Sequence, residues 1–289
     1  MLGYLLDWRR FDIARTDTVL EIGSGGHPLI RSDILCDKYP FASYERFLHA
    51  PLVRDRPIVA GDAMCLPFRD KSVDFIYCND LAEHLDEPHH FFDECSRVGR
   101  KGVIITPSML AERMFGWDYH AVMFDVRDGG LVIHRKTEDN WAWFGGTFHE
   151  LWLADPGFRQ VFARHPEIFR MTFEWQDRIP HAYAQSEHPP TSAWRRVSSD
   201  DKPITAAPTV IERAKRGVRS LASTGLRRLI LRRPEIDLAS VIACPICKGP
   251  LTSLEQHALH CTDCGAVFPR EQGIPMLLPE SRLDRVEGR

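Results

Sequence analysis

The chain has 289 residues, 44% of them hydrophobic and 27% charged, and a formal net charge of −3 at pH 7. That length holds one large domain and a small one, and the charge balance gives no global attraction for nucleic acid. No apolar run approaches the roughly 20 residues that span a bilayer, and no cationic stretch precedes the apolar residues at the N-terminus, so no secretory signal is expected and the cytoplasm is the expected location.

Short apolar runs at 19–22, 34–36, 58–60, 75–78 and 103–106 alternate with helix-like or loop stretches, among them an amphipathic helix over 87–98. Runs of that length, apolar throughout, read as strands buried on both faces. Their alternation with helices predicts an α/β domain over 1–180: a Rossmann-like, doubly wound, mostly parallel seven-stranded sheet. Strand-like pieces at 131–134 and 171–175 are expected to finish the sheet, within an aromatic-rich and histidine-rich wall.

Prolines then gather and the apolar pattern weakens over 181–237, which reads as a linker. Inside it, 210–231 carries Arg213, Lys215, Arg216, Arg219, Arg227 and Arg228 among leucines and valines. That pattern suits a connecting helix docked by its apolar side, or a basic arm for RNA or an anionic membrane. A third region, 238–280, holds Cys244-Pro-Ile-Cys247 and, thirteen residues on, Cys261-Thr-Asp-Cys264. Each Cys-x-x-Cys puts two thiolates on one tight turn, and two such turns complete a tetrahedral sulfur site suited to a structural zinc ion. Gly249 and Gly265 stand where each turn is expected to need positive φ. Disulfides or redox dithiols are the alternative, and nothing points to an oxidising compartment. The other four cysteines, Cys36, Cys65, Cys78 and Cys95, read as small buried hydrophobes.

The first predicted strand runs into Glu21-Ile-Gly23-Ser24-Gly25-Gly26-His27-Pro28. Glycines there let the backbone pass close under a ligand, and Pro28 is expected to open a helix. A dinucleotide loop would want a third glycine where Pro28 stands. Glu21 would repel a pyrophosphate and suits a cationic ligand instead. The next strand ends in Asp37, whose carboxylate can accept both hydroxyls of a ribose. The third ends in Gly61-Asp62-Ala63, where Asp62 can take a hydrogen bond from an exocyclic amine. Three acids on successive strand tips make an adenosine-shaped, cation-tolerant crevice.

In that order, the Glu21 glycine loop, Asp37, Gly61-Asp-Ala-Met-Cys-Leu-Pro-Phe68, Asp74 and Leu81-Ala-Glu-His-Leu85 resemble the class I S-adenosylmethionine-dependent methyltransferases, in particular the quinone and small-metabolite branch. The resemblance covers about 18–107. It implies that Gly23, Ser24 and Gly25 line the methionyl part of S-adenosylmethionine, Asp37 the ribose, and Asp62 and Ala63 the adenine, with Asn79 a further contact. Only sixteen positions separate Glu21 from Asp37, so the first helix must be very short. The C-terminal region is similar to the small zinc-ribbon activator of tRNA, rRNA and release-factor methyltransferases, through Cys244-Pro-Ile-Cys-Lys-Gly-Pro-Leu251, Leu259-His-Cys-Thr-Asp-Cys-Gly265, Phe268-Pro269 and Gly273-Ile-Pro-Met-Leu277. That resemblance implies docking on the catalytic domain, here within one chain.

Methyl transfer from a sulfonium is an in-line displacement that depends mostly on positioning. A hydroxyl or ammonium acceptor must also lose a proton, and His84, just past the fourth strand, is the expected catalytic residue; a structural role under the cofactor competes with it. Tyr119, His120, His149 and Glu150, and the rings of Trp117, Trp141, Trp143, Phe144 and Trp152, are further candidates for the acceptor wall. Methylation of adenine N6 or of a glutamine amide is disfavoured, because the Asn/Asp-Pro-Pro-aromatic word used for it reads Asn79-Asp-Leu-Ala82 here. The expected function is methyl transfer to a small molecule, lipid or saccharide. The alternatives are an RNA or translation-factor methyltransferase, and an inactive binding scaffold, which would have no need of Asp37 and Asp62.

Overall fold

The computed structural model describes residues 8–26, 28–41, 53–136, 144, 146–184, 227, 236–254 and 257–281. The apolar runs become β1 (Val19–Ile22), β2 (Ile34–Asp37), β3 (Ile58–Gly61), β4 (Val73–Asn79) and β5 (Gly99–Pro107), with α1 (Pro88–Val98) between the last two. β1, β2 and β3 are buried almost throughout, as runs covered on both faces must be. α1 buries Phe91, Phe92, Cys95 and Val98 along one stripe. α2 (Met109–Phe115), β6 (Val122–Arg127), β7 (Gly130–Arg135), α3 (Thr147–Ala154), α4 (Pro156–Arg164), α5 (Pro166–Phe169), β8 (Arg170–Gln176) and β9 (His181–Tyr183) follow.

The main sheet runs β3-β2-β1-β4-β5-β8, parallel except for β8, which pairs antiparallel with β5. The predicted piece at 131–134 does not finish this sheet. It forms β7 of a separate three-stranded sheet ordered β6-β7-β9, and β9 carries the packing a few residues past position 180.

The seventh strand comes from the far end of the chain. After α6 (Leu238–Val241), the C-terminal region folds as β10 (Leu251–Leu254), β11 (Ala258–Cys261), β12 (Val267–Glu271) and β13 (Ile274–Leu277). β13 lies parallel to β3, with Met276 opposite Ala60 and Leu277 opposite Gly61, so the sheet continues to ten strands. All four residues of β13 are buried. On one face Ile274, Met276 and Leu278 pack with Leu35, Ile58 and Ala60. On the other, Leu277, Phe268, Leu259 and Ile242 belong to the same apolar cluster as Leu20, Ile22, Phe68 and Phe91. The cysteine region and the α/β region thus share one core.

A second seam lies beside the first. Residues 241–243 run antiparallel to 67–69: Arg69 N donates to Val241 O at 2.8 Å and Ala243 N to Pro67 O at 2.9 Å. Lys248 Nζ donates to Leu66 O (3.1 Å) and pairs with Glu94 (3.0 Å). Lys248 Nζ is also held by these partners on α1 and the β3–β4 connection, so the contact is polar as well as apolar.

Candidate functional site

No helix lies between β1 and β2 in the described residues: Pro28 lies in an irregular stretch, and Leu29–Ser32 form a turn closed by Ser32 N donating to Leu29 O. A net of buried charge takes the place of the expected short helix. Glu21, 3% exposed, accepts from Leu29 N (2.9 Å) and Ser32 Oγ. Arg56 donates to Leu29 O and Ser32 O, and Arg31 pairs with Asp33 at 2.8 Å. Burial, only partly offset by Ser32, Arg56 and the Leu29 amide, pushes the Glu21 carboxyl up to about 7. Its role in the described structure is to order the loop from beneath.

Above it the glycine loop is shaped as a close-approach cradle. Gly23 (φ 71°) and Gly25 (φ 55°) take left-handed conformations that a side chain would strain. A Cβ on Gly23 would meet Leu81 at 3.1 Å, whereas nothing lies within 4 Å of one on Gly25, so the loop is tight below and open above. Ser24 Oγ is buried without a hydrogen-bond partner. An orphaned buried hydroxyl beside that opening fits a polar ligand such as the methionyl part of S-adenosylmethionine.

The parallel pairing brings the other predicted cofactor residues to the same edge: Ile22 faces Cys36 and Cys78, and Asp37 faces Ala60. Asp37 Oδ1 accepts from Tyr39 N (2.8 Å). Asp62 caps the 3-10 turn Ala63–Cys65 by accepting from Met64 N, and its Oδ2 pairs with Lys38 Nζ at 2.8 Å. Lys38 also faces Glu280 at 3.9 Å, so the C-terminal region reaches the rim of the crevice. Asn79 Oδ1 accepts from Arg170 (2.6 Å), whose other nitrogen pairs with Asp80 (2.7 Å).

The 3-10 turn Ala82–His84 follows, with Glu83 turned inward and His84 outward. His84 stacks on Tyr119 (5.7 Å, 11°) and meets the edge of His120 at 4.6 Å. Of the wall candidates, Trp117 packs on His120 and His149, and Trp152 joins an aromatic cluster around Phe115 and Phe162. Glu150 is exposed; Trp141 and Trp143 lie outside the described residues, as does the 210–231 stretch apart from Arg227. Reading the chain as a sequence missed Glu83, Glu112 and Lys136, because charged residues at scattered positions give no sign that they will be buried together.

Cys244, Cys247, Cys261 and Cys264 converge, their sulfurs within 4.8 Å of one another, and none is in a disulfide. Cys244 Sγ lies 3.8 Å from Cys264 Sγ, and Cys247 Sγ 3.4 Å from Cys261 Sγ. A tetrahedron of zinc–sulfur bonds of about 2.3 Å requires sulfurs about 3.8 Å apart, so the donor set fits zinc. Four thiolates would leave no open position, which makes the site structural.

One detail of the knuckles differs from expectation. Positive φ falls on Lys248 (61°) and Gly265 (71°), which donate from equivalent turns to Cys244 O and Cys261 O. A Cβ on Gly249 would sit 2.5 Å from Oδ2 of the exposed Asp263 side chain, which would have to turn aside. Of the remaining cysteines, Cys36, Cys78 and Cys95 are buried and Cys65 only partly so.

Two family models match separate parts of the chain. Residues 44–106 match the family described as Methyltransferase domain, and 235–273 match the family described as Trm112p-like protein. A UPF0434 protein of Coxiella burnetii is 41% identical over 51 residues, 17% of this chain and 91% of its own length. The UPF0434 protein Mpe_A2486 of Methylibium petroleiphilum is 48% identical over 42 residues, and this chain spans 65% of its length. Among solved structures, a complex of the Haloferax volcanii Trm112 methyltransferase activator with a methyltransferase partner is 16% identical over 63% of this chain and 91% of that one, with a TM-score of 0.35. The YcgJ protein of Bacillus subtilis is 22% identical over 36% of this chain and 49% of its own, with a TM-score of 0.28. The chain therefore carries a match to a methyltransferase domain, and its C-terminal module belongs to the Trm112p-like, UPF0434 family.

Proposed function

We propose that the chain methylates a small molecule, lipid or saccharide, with S-adenosylmethionine held by Gly23, Ser24, Gly25, Asp37, Asp62, Ala63 and Asn79 over Glu21. The carrying observation is the alignment of the glycine loop, with its orphaned Ser24 hydroxyl, beside Asp37 and Asp62 on neighbouring parallel strand tips. When bound, the cofactor supplies an electrophilic methyl group. The chain's own part is to hold the acceptor atom in line, about 3 Å away. Asp37 accepts from the ribose hydroxyls. Asp62 accepts from the adenine amine through the oxygen that Lys38 holds, so Lys38 must share it. His84, Tyr119 and His120 form the wall on the acceptor side. The module at 238–280 braces the cofactor edge, through β13 beside β3 and through 241–243 beside 67–69, and a zinc ion on the four cysteines holds that brace folded.

A macromolecular acceptor, RNA or a translation factor, is the second reading, favoured by the Trm112p-like module. Labelled S-adenosylmethionine incubated with the full chain and a cell extract separates the two: label in small solutes or lipids supports the first, and label in RNA or protein replaces it with the second. Calorimetry tests the site itself. Asp37→Ala removes one or two charge-assisted hydrogen bonds of about 1.5–3 kcal/mol each, so cofactor affinity is expected to fall roughly tenfold or more. Unchanged affinity refutes the assignment.

A further inference from the structure

Glu83, Glu112, His120 and Lys136 are buried together next to the acceptor wall, and the last three account for one another. Glu112 accepts from His120 Nδ1 at 2.6 Å and pairs with Lys136 Nζ at 2.6 Å; Glu112 and Lys136 are each 1% exposed. Asp80, nearby, is balanced by Arg170. Glu83 is left over. It is 1% exposed, and neither of its carboxylate oxygens has a hydrogen-bond partner. A buried carboxylate with no side-chain donor is costly as an anion, so it either holds a proton, as burial favours here, or gives that proton up to a metal cation.

The surroundings show which cation. One ligating atom each of Glu83, His84 and His120 lies within 4.8 Å of the others. With Nδ1 of His120 turned to Glu112, the nitrogen it has to offer is Nε2, and a carboxylate behind an imidazole is the outer support that metal-binding histidines usually have. We propose that Glu83, His84 and His120 form a second metal site, for a divalent first-row transition ion, with Glu112 orienting His120. Two imidazoles and one carboxylate are a nitrogen–oxygen set of intermediate softness, suited to zinc or its neighbours, and three protein ligands leave a position open for an oxygen donor. Bonds of about 2.0–2.1 Å bring tetrahedral ligand atoms to about 3.3 Å apart, which falls inside the 4.8 Å that bounds the three separations. His84 is exposed on its short turn and lies against the rings of Tyr119 and His120. In this arrangement His84 is a ligand rather than a proton acceptor, and the open position points to an acceptor that carries a hydroxyl or carboxylate oxygen.

The test counts metal on the full chain and needs no acceptor. After equilibration with Zn2+ and desalting, elemental analysis is expected to give two equivalents per chain. His84→Gln, on the exposed ligand, should give one and should retain the unfolding midpoint of wild type carrying a single equivalent. Glu83→Gln and His120→Gln should also give one. With Co2+ as the probe, the second equivalent should show weak ligand-field absorption without the intense sulfur-to-cobalt bands of the four-cysteine site. A wild-type content of one equivalent overturns the proposal. So does a second equivalent that persists in His84→Gln, or one that carries sulfur-to-cobalt bands.

Discussion

Replacing Glu21 by glutamine tests how the glycine loop is held. The native carboxyl is raised from 4.5 to about 7, chiefly by burial. The unfolded chain releases this proton near 4.5 and the folded chain near 7, so the folded state binds more protons between those values. The stability this group contributes is therefore complete below pH 4.5 and is lost as pH rises to 7. At 1.36 kcal/mol per unit, the loss is about 3 kcal/mol. Glutamine keeps an acceptor oxygen for Leu29 N and Ser32 Oγ but has no proton to lose. Arg56 keeps Asp55 as an ion-pair partner at 2.7 Å. Urea unfolding of both proteins across pH 4.5–8 should show Glu21→Gln gaining on the wild type, from near parity at the acid end to about 3 kcal/mol above pH 7. Protonation of the cysteine site at low pH affects both proteins equally and cancels in the difference. Parallel stability curves, or a glutamine variant weaker than the wild type at pH 8, would refute the account of a carboxylate desolvated beneath the loop.

Two further predictions concern the C-terminal module. Leu277, fully buried between β12 and β3, should lose roughly 2–5 kcal/mol of stability on truncation to alanine; a loss below about 1 kcal/mol, measured by denaturation of the whole chain, would mean that the regions do not share a core. Removing the metal from the four cysteines with a strong chelator, or by a Cys247→Ser/Cys264→Ser double substitution, should unfold the module and bare β3 as an edge. The melting temperature of the α/β region should then fall and its tendency to aggregate rise; an unchanged melting temperature in light-scattering-controlled scans would count against the brace.

What the chain displays along its length is what depends on near neighbours in sequence. Apolar runs of strand length and the stripe of α1 are local patterns, so β1 to β5 and α1 were legible. The two Cys-x-x-Cys turns were legible for the same reason, since each knuckle is made within a few residues. The strand-tip acids followed from strand order. Between Glu21 and Asp37 local reading failed, because buried pairs with Arg31 and Arg56 outweigh the helix start that Pro28 suggests. It failed again at Lys248, whose left-handed backbone is set by its hydrogen bond to Cys244 O rather than by residue type. The destination of β13 and the meeting of Glu83 with His84 and His120 belong to the tertiary structure alone. Residues far apart in sequence can be joined in many ways at similar entropic cost. Only the burial of β13 on both faces and the packing of the β4 turn against the hairpin of β6 and β7 select the arrangement that forms.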